Sequence, residues 1–275
     1  MCIRDRISGL VTLNGGGNTV SSSSTLTTGG LTVNGSNNTI SSGTVVGATT
    51  QAAASALAVN GTLTGTDSLT AGATALSGTG TISGLVTLNG GGNTVSSSST
   101  LTTGGLAVNG TNNTISSGTV AGNTTLNSGA ALALAGTSTL NGTVTISNLA
   151  TLAVQGTTNS IGGEVTLNSS GTLNLQNGAI NTLDVTATGT ALTVPSGTGT
   201  LSINVGSGSS SDLVDLTAGA ASLGAGSVVV NVDSLAGATA GTTYTFISAT
   251  GGLSASDFTL GTLSGTLTVS YTHLD

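Results

Sequence analysis

The side chains able to do acid–base or metal chemistry are few in this sequence. Between Ile7 and Thr268 there is no Lys, Arg, His or Cys. The only acids there are Asp67, Glu164, Asp184, Asp212, Asp215, Asp233 and Asp257. Glycoside cleavage commonly needs paired carboxyl groups, and only Asp212 and Asp215 are close in sequence. A separation of three places them on opposite faces of a strand. We therefore predict that both are solvated turn residues and that the chain is not an enzyme.

Other reaction classes lack their essential groups. Ser-His-Asp catalysis needs an imidazole, and the one histidine, His273, stands in an atypical C-terminal segment. Asn14–Asn18 is similar to a calcium-binding nonapeptide, but Asn18 stands where such loops need Asp. Without basic side chains, the interior cannot neutralise phosphates. We expect no metal, no cofactor and no nucleic-acid partner.

Composition predicts an all-β chain. Of 275 residues, 45 are Gly, 4% are charged and 1% are aromatic, and the mean hydropathy is +0.38. This is too apolar for a charge-rich disordered segment. No apolar run is long enough for a membrane-spanning helix, so we expect that the chain does not span a membrane itself. Thr, Val, Leu, Ser, Gly and Asn dominate, which is typical of short strands joined by tight turns.

A long duplication and a shorter repeat organise the chain. Residues 7–50 and 82–125 align without a gap and differ at four positions. Inside them recurs the pattern apolar-(Asn/Gln)-Gly-x-x-Asn-(Thr/Ser)-apolar, at 13–20 and 33–40, at 88–95 and 108–115, and again at 154–161. Its Gly and Asn positions are predicted structural turn and ladder residues; they are Gly15, Asn18, Gly35, Asn38, Gly90, Asn93, Gly110, Asn113, Gly156 and Asn159.

A unit of about 20 residues suits one coil of a parallel β-helix with three short strands. Inward Leu, Val, Ile and Ala would stack between coils, and Thr and Ser would face outward. Residues at equivalent positions of the duplication, such as Leu13 and Leu88, should then share a wall and a burial. Asn18 should lie next to Asn38 in the adjacent coil. An antiparallel sandwich with Asn-Gly hairpin turns and a cross-β stack are the alternatives.

The chain is predicted to have four parts. Residues 7–206 carry the β-helix repeats, and 207–268 form a C-terminal β-rich cap region with longer strands and both Phe residues. Residues 1–6 and 269–275 resemble translated sequencing adapter, because back-translated codons for 1–5 are the reverse complement of codons for 269–273. This indicates a fragment of a longer, metagenomic reading frame.

The repeats are similar to the autotransporter-associated β-strand repeats of bacterial passenger domains. Residues 211–258, with Ser-Asp-Leu-Val, Gly-Ser-Val-Val-Val-Asn-Val and Gly-Thr-Thr-Tyr-Thr-Phe-Ile, resemble the C-terminal stretch of such passengers. The resemblance implies a right-handed parallel β-helix (a solenoid) that is secreted or held at the outer membrane and cell surface. It implies a stalk or adhesin, with a host-surface or matrix ligand and a downstream β-barrel translocator in the parent chain.

Two other functions compete with the stalk or adhesin. Thr-x-Thr recurs along the chain, for example at 25–27, 62–64, 100–102, 143–145, 186–188 and 266–268. Threonines aligned on one wall would favour a surface that binds ice or a crystalline glycan, whereas ordinary outward strand residues would be scattered over different walls. A polysaccharide-active β-helix enzyme is the third alternative.

Overall fold

The computed structural model describes residue 7 and residues 9–69, 74–216 and 218–264. The chain divides into two compact units, Met1–Thr125 and Leu126–Asp275. Both copies of the long duplication fall within the first, here called the N-terminal unit; the second is the C-terminal unit. The adapter-like segments 1–6 and 269–275, including His273, and the threonine pair at 266–268 lie outside the described residues.

The N-terminal unit is a parallel β-helix. Alternating apolar and hydroxyl residues form short strands, and Gly and Asn occupy the corners. Its strands are β1 (Leu10–Leu13), β2 (Thr19–Thr27), β3 (Gly30–Val33), β4 (Asn38–Val46), β5 (Thr49–Gln51), β6 (Ala56–Val59), β7 (Thr62–Thr64), β8 (Asp67–Leu69), β9 (Ala75–Ser77), β10 (Thr81–Leu88), β11 (Thr94–Val108) and β12 (Asn113–Ala121), and β13 (Thr124–Leu126) spans the boundary.

Parallel pairing between successive coils builds three walls in this unit. The first wall contains 10–13, 30–33, 49–51, 67–69, 86–88 and 106–108. The second begins with 19–20 and 39–40, and the third with 25–27 and 44–46. Each strand pairs with the equivalent strand of the next copy of the short repeat, so one repeat of the sequence is one coil. This pairing rules out the antiparallel sandwich.

The interior of each coil is filled by aliphatic side chains from all three walls. Leu13 and Leu88 are 8% and 0% exposed, and Val33 and Val108 are fully buried. Leu13 pairs with Val33, and Leu88 pairs with Val108, all on the first wall. The prediction that equivalent residues of the duplication share a wall and a burial is confirmed.

The C-terminal unit is also a parallel β-solenoid. Its strands are β14 (Ala131–Leu134), β15 (Ser138–Leu140), β16 (Val144–Ile146), β17 (Thr151–Val154), β18 (Thr158–Ile161), β19 (Val165–Leu167), β20 (Thr172–Asn174), β21 (Thr182–Val185), β22 (Gly189–Thr193), β23 (Ser196–Val205), β24 (Leu213–Leu216), β25 (Gly219–Ser222), β26 (Ala225–Ser234), β27 (Ile247–Ala249) and β28 (Phe258–Ser264). The described helical structure in this unit is one short 3₁₀ turn, Ala255–Asp257.

The coils of this unit contain more residues toward the C-terminal end of the chain. Ala131 pairs with Thr151, whereas Val214 pairs with Ile247, which lies much further along the chain from its partner. The longest pair joins β23 and β26 in unbroken register from Ser196 to Val205. The two phenylalanines are half-buried, and Phe246 packs edge-on against Phe258 with ring centroids 5.7 Å apart. The larger residues after 207 therefore belong to longer coils that still pair in parallel.

One turn of the C-terminal unit places a leucine in an unfavourable conformation. Leu149 has φ of 59° and is 69% exposed, whereas Gly129, one coil earlier, has φ of 75°. A left-handed backbone costs an L-residue about 1 to 2 kcal/mol. We expect Leu149→Gly to raise the free energy of unfolding by up to about 1 kcal/mol, after the greater unfolded-state entropy of glycine is subtracted. Urea unfolding measures this, and Leu149→Ala, which keeps the strain, should change little.

Candidate functional site

Asparagines link adjacent coils of the N-terminal unit at the corner before the second wall. The backbone N–H and Nδ2 of Asn18 donate to Oδ1 of Asn38, over 3.2 and 2.8 Å. Nδ2 of Asn38 donates to the Gly35 carbonyl at 2.7 Å. In the second copy, Asn93 makes the same two bonds to Asn113, at 3.1 and 3.0 Å. The constant spacing of the repeat therefore stacks these asparagines in adjacent coils, as predicted.

Glycines let the backbones approach at the same corner. A Cβ on Gly35 would overlap the Gly15 carbonyl, and a Cβ on Gly110 would overlap the Gly90 carbonyl. Gly15 itself has φ of 77°, in the left-handed region that favours glycine. The Gly-x-x-Asn pattern is thus one structural motif. Its glycine lets the backbones of two coils approach closely, and its asparagine, three positions later, bonds both its own turn and the previous coil.

The C-terminal unit contains the same motif, with a different residue in the preceding coil. Oδ1 of Asn159 accepts from the backbone N–H of Ser138 at 3.0 Å, and its Nδ2 donates to the Gly156 carbonyl at 3.0 Å. A Cβ on Gly156 would overlap the carbonyl of Gly136. A serine therefore occupies the preceding coil where the N-terminal unit has asparagine.

Removing one ladder asparagine should cost about 2 kcal/mol. Asn113→Ala leaves the buried N–H groups of Asn93 and the Gly110 carbonyl without the partners that Asn113 provides. Chemical denaturation of the two proteins measures the loss. Asn109→Ala is the matched control, because Asn109 is exposed and water can replace its bond to Asn89. Equal losses for the two variants would contradict the ladder.

Asp212 is buried, so the prediction that it is a solvated turn residue is wrong. It is 0% exposed, and its carboxylate accepts from the backbone N–H groups of Asn181 at 2.6 Å and Asn204 at 2.5 Å. Burial raises the pKa of Asp212 to about 6, and these bonds act against the rise. Asp212 comes just before β24, one coil after Asn181. Its Oδ1 accepts a hydrogen bond from a backbone N–H of the previous coil, as Oδ1 of a ladder asparagine does. A compact loop from Gly206 to Ser210 folds beside it.

The outer face brings together two carboxylates that are distant in the sequence. Asp184 on β21 and Asp215 on β24 are direct partners in adjacent parallel strands. Ser160 lies beside Asp184 on one side and Ser248 beside Asp215 on the other. Burial, and secondly the charge of Asp215, raise the pKa of Asp184. Sequence reasoning missed this pair because it assumed coils of constant length; the shared Leu-Asp-Val and Val-Asp-Leu pattern was the available signal.

Asp67 is the second buried acid. It is 0% exposed and accepts from Nε2 of Gln51 at 2.8 Å. Burial raises its pKa from 3.8 to about 7, although bonds from Gln51 and the Ser68 backbone oppose the change. No sequence pattern distinguished Asp67 from an outward acid, since Thr and Ser surround it in the chain.

Hydroxyl side chains form regular files on two walls of the N-terminal unit. On the third wall Thr25, Thr44, Thr62, Thr81 and Thr102 are successive partners in five coils. On the first wall Thr12, Thr32, Thr50, Ser68 and Thr87 are successive partners. The neighbouring row on the third wall is interrupted. Its successive partners are Thr27, Val46 and Thr64, so a valine stands between two threonines. The two uninterrupted hydroxyl files therefore lie on different walls.

The remaining features of the described residues offer little to a ligand. A cavity of about 10 Å³ in the C-terminal unit is lined only by apolar side chains, among them Leu173, Val214 and Phe258. It has room for about one water molecule but no polar partner for it. Within the described ranges, no three His, Cys, Asp or Glu side chains are grouped so as to hold a metal ion. No helix among these residues is long and apolar enough to cross a membrane.

Comparison of the chain with known protein families, with curated proteins and with solved structures found no match. What is established is therefore the fold, a parallel β-solenoid, and the geometry of its ladders.

Proposed function

We propose that this chain is a non-catalytic stalk or adhesin segment displayed at a bacterial surface, part of an autotransporter-like passenger. The observation that carries the proposal is the use of the polar side chains. The Asn ladders bond coil to coil in the N-terminal unit, Thr139 and Ser160 share a hydrogen bond between coils of the C-terminal unit, and the acids are either buried or spread along the outer face. Polar side chains that hydrogen-bond adjacent coils stabilise a long stack, and this use suits a structural role better than catalysis.

The composition of the outer faces supports the same role. The N-terminal unit has no charged side chain among its described residues apart from the buried Asp67. The chain between Ile7 and Thr268 also lacks cysteine, which suits export as an unfolded chain. The 211–258 motifs that resemble passenger C-terminal segments lie on β24, β26 and β27 and on the loop before β27.

Surface display tests this proposal. The whole chain is fused upstream of a bacterial outer-membrane translocator, and cells are probed with antibody and with a protease that cleaves after large apolar side chains. We expect the chain on the cell surface and resistant to the protease, because ladder backbone must open before it is cut. Trypsin is uninformative, since it has no site after Arg6. Retention inside the cell, or rapid digestion along the whole length, would contradict the proposal.

Binding to a periodic surface is the second candidate function, and the file of five threonines on the third wall favours it. An ice or crystalline-glycan surface would meet this file at a repeat of about 4.8 Å, the spacing of adjacent strands. The neighbouring file is interrupted by Val46, which leaves one complete row. Loss of ice or glycan binding on Thr62→Lys, with no loss on Thr50→Lys of the first wall, would support this function over the stalk.

Catalysis is tested at the paired carboxylates. On the stalk proposal the chain hydrolyses no polysaccharide, and Asp184→Asn and Asp215→Asn change nothing in such assays. Turnover of any polysaccharide that both substitutions abolish would overturn the proposal, since two adjacent carboxyl groups are what glycoside cleavage requires.

A further inference from the structure

The core of the N-terminal unit contains one ionisable side chain. Asp67 begins β8 on the first wall and points inward, where its partners in the flanking strands are Thr49 of β5 and Val86 of β10. It is 0% exposed. No other titratable or charged side chain occurs among the described residues of this unit, so β5, β10 and the facing strands offer Asp67 neither a counter-charge nor a second acid.

The polar groups around Asp67 satisfy it incompletely. Oδ2 accepts from Nε2 of Gln51 and the Ser68 backbone also bonds the carboxyl group, whereas Oδ1 is buried with no hydrogen-bond partner. Oγ1 of Thr49, on the residue paired with Asp67 in the neighbouring coil, is also buried without a partner. A dehydrated carboxylate with one unbonded oxygen is costly, whereas a neutral carboxyl group is tolerated far better. The closed coil therefore suits the protonated acid.

We propose that the coil holding Asp67 is a proton-controlled opening point between the two copies of the duplication. When Asp67 is protonated, β5, β8 and β10 stay paired. When it ionises, these strands separate locally so that the carboxylate reaches water. Asp67 lies between residues 7–50 and 82–125, so opening would interrupt the unit while leaving each copy's own ladder bonds intact. This property is independent of the display role.

The direction of the pH dependence follows from burial. The pKa of Asp67 is raised in the folded chain, to about 7 from 3.8. The free energy by which protonated Asp67 favours the closed coil is therefore fully present below about pH 4, and it is lost as the pH rises through about 7. Between about pH 4 and pH 7, each unit makes the ionised, open form ten times more favourable relative to the closed, protonated one, and the effect is complete a little above pH 7.

Hydrogen exchange followed by mass spectrometry tests the proposal on the full chain. Wild type and Asp67→Asn are compared at the same pH, which cancels the intrinsic pH dependence of exchange. At pH 8.5 we expect amides in 49–51 and 67–69 to exchange at least about tenfold faster in wild type than in Asp67→Asn. At pH 3.5, below the ordinary pKa of an aspartate, Asp67 is mostly protonated in both the open and the closed form, and the two proteins should agree. Asp67→Ser serves as a second neutral variant, and Asp257→Asn is the control that should exchange like wild type.

Three results would overturn the proposal. The first is equal exchange of wild type and Asp67→Asn at pH 8.5. The second is a difference of the same size at pH 3.5 and 8.5, because that would report altered packing rather than ionisation. The third is faster exchange spread equally over strands β14 to β17 of the C-terminal unit, because that would be global unfolding and not a local opening.

Discussion

Gly110→Ala is expected to destabilise the N-terminal unit by about 4 kcal/mol or more, a large effect for a single added methyl group. The added Cβ would overlap the carbonyl group of Gly90 in the preceding coil, and backbone cannot rotate away as a side chain can. The coils must separate, which also stretches the Asn93–Asn113 bonds. Thermal and urea unfolding measure the loss.

The duplication supplies a matched variant for this test. Gly35→Ala makes the same overlap with Gly15, but Gly15 belongs to the first described coil, which has fewer neighbours to hold it in place. We expect a smaller loss there than at Gly110. Gly9→Ala is the control, because a Cβ on Gly9 has nothing within 4 Å. A loss at Gly110 no greater than that at Gly9 would mean that the coils are not in close backbone contact.

Leu88→Ala is expected to cost about 3 to 4 kcal/mol, whereas Leu13→Ala should cost no more than about 2 kcal/mol. The two leucines occupy the same position in nearly identical sequences. Leu88 is fully buried, and its strand is paired on both sides, with β8 and with β11, where Val108 is its partner. Leu13 is 8% exposed and pairs with Val33 on one side. The cavity left at Leu88 is closed, while the site of Leu13 can relax toward solvent.

Thr87→Ala is the control for the leucine comparison, since Thr87 faces outward on the same strand and should change stability by less than about 0.5 kcal/mol. Both leucine variants are compared by urea unfolding with circular dichroism. Equal losses at positions 13 and 88 would mean that stacking on both sides adds nothing to burial, contrary to the way repeat proteins distribute stability between neighbours.

The repeat made the ladder predictable. Each copy of the duplication carries the same Gly-x-x-Asn pattern twice at a constant spacing, so any regular coil must bring Asn18 beside Asn38 and Asn93 beside Asn113. Period-two alternation of apolar and hydroxyl residues likewise indicated which side chains of the N-terminal unit point inward. These inferences needed only local pattern and constant spacing, and each was confirmed.

The acids were not predictable in this way. Asp212 was predicted to be a solvated turn residue, but a corner position buries it against the backbone of Asn181 and Asn204. Asp184 and Asp215 meet because the coil between them is longer than the coils before it, and loops with no pattern of their own set that length. Gln51 reaches Asp67 from the preceding coil, a contact that the pairing of β5 with β8 decides.

The amino-acid sequence by itself determined the kind of coil. Small residues exclude a wide core, strand formers and glycine corners exclude helices, and a repeat of fixed length specifies parallel stacking. The tertiary structure alone decided the environment of each carboxyl group. A charge is buried or exposed according to which residues the neighbouring coil places beside it, and those residues are about 16 to 31 positions away in the chain. Local sequence carries no information over that distance where the coil length varies.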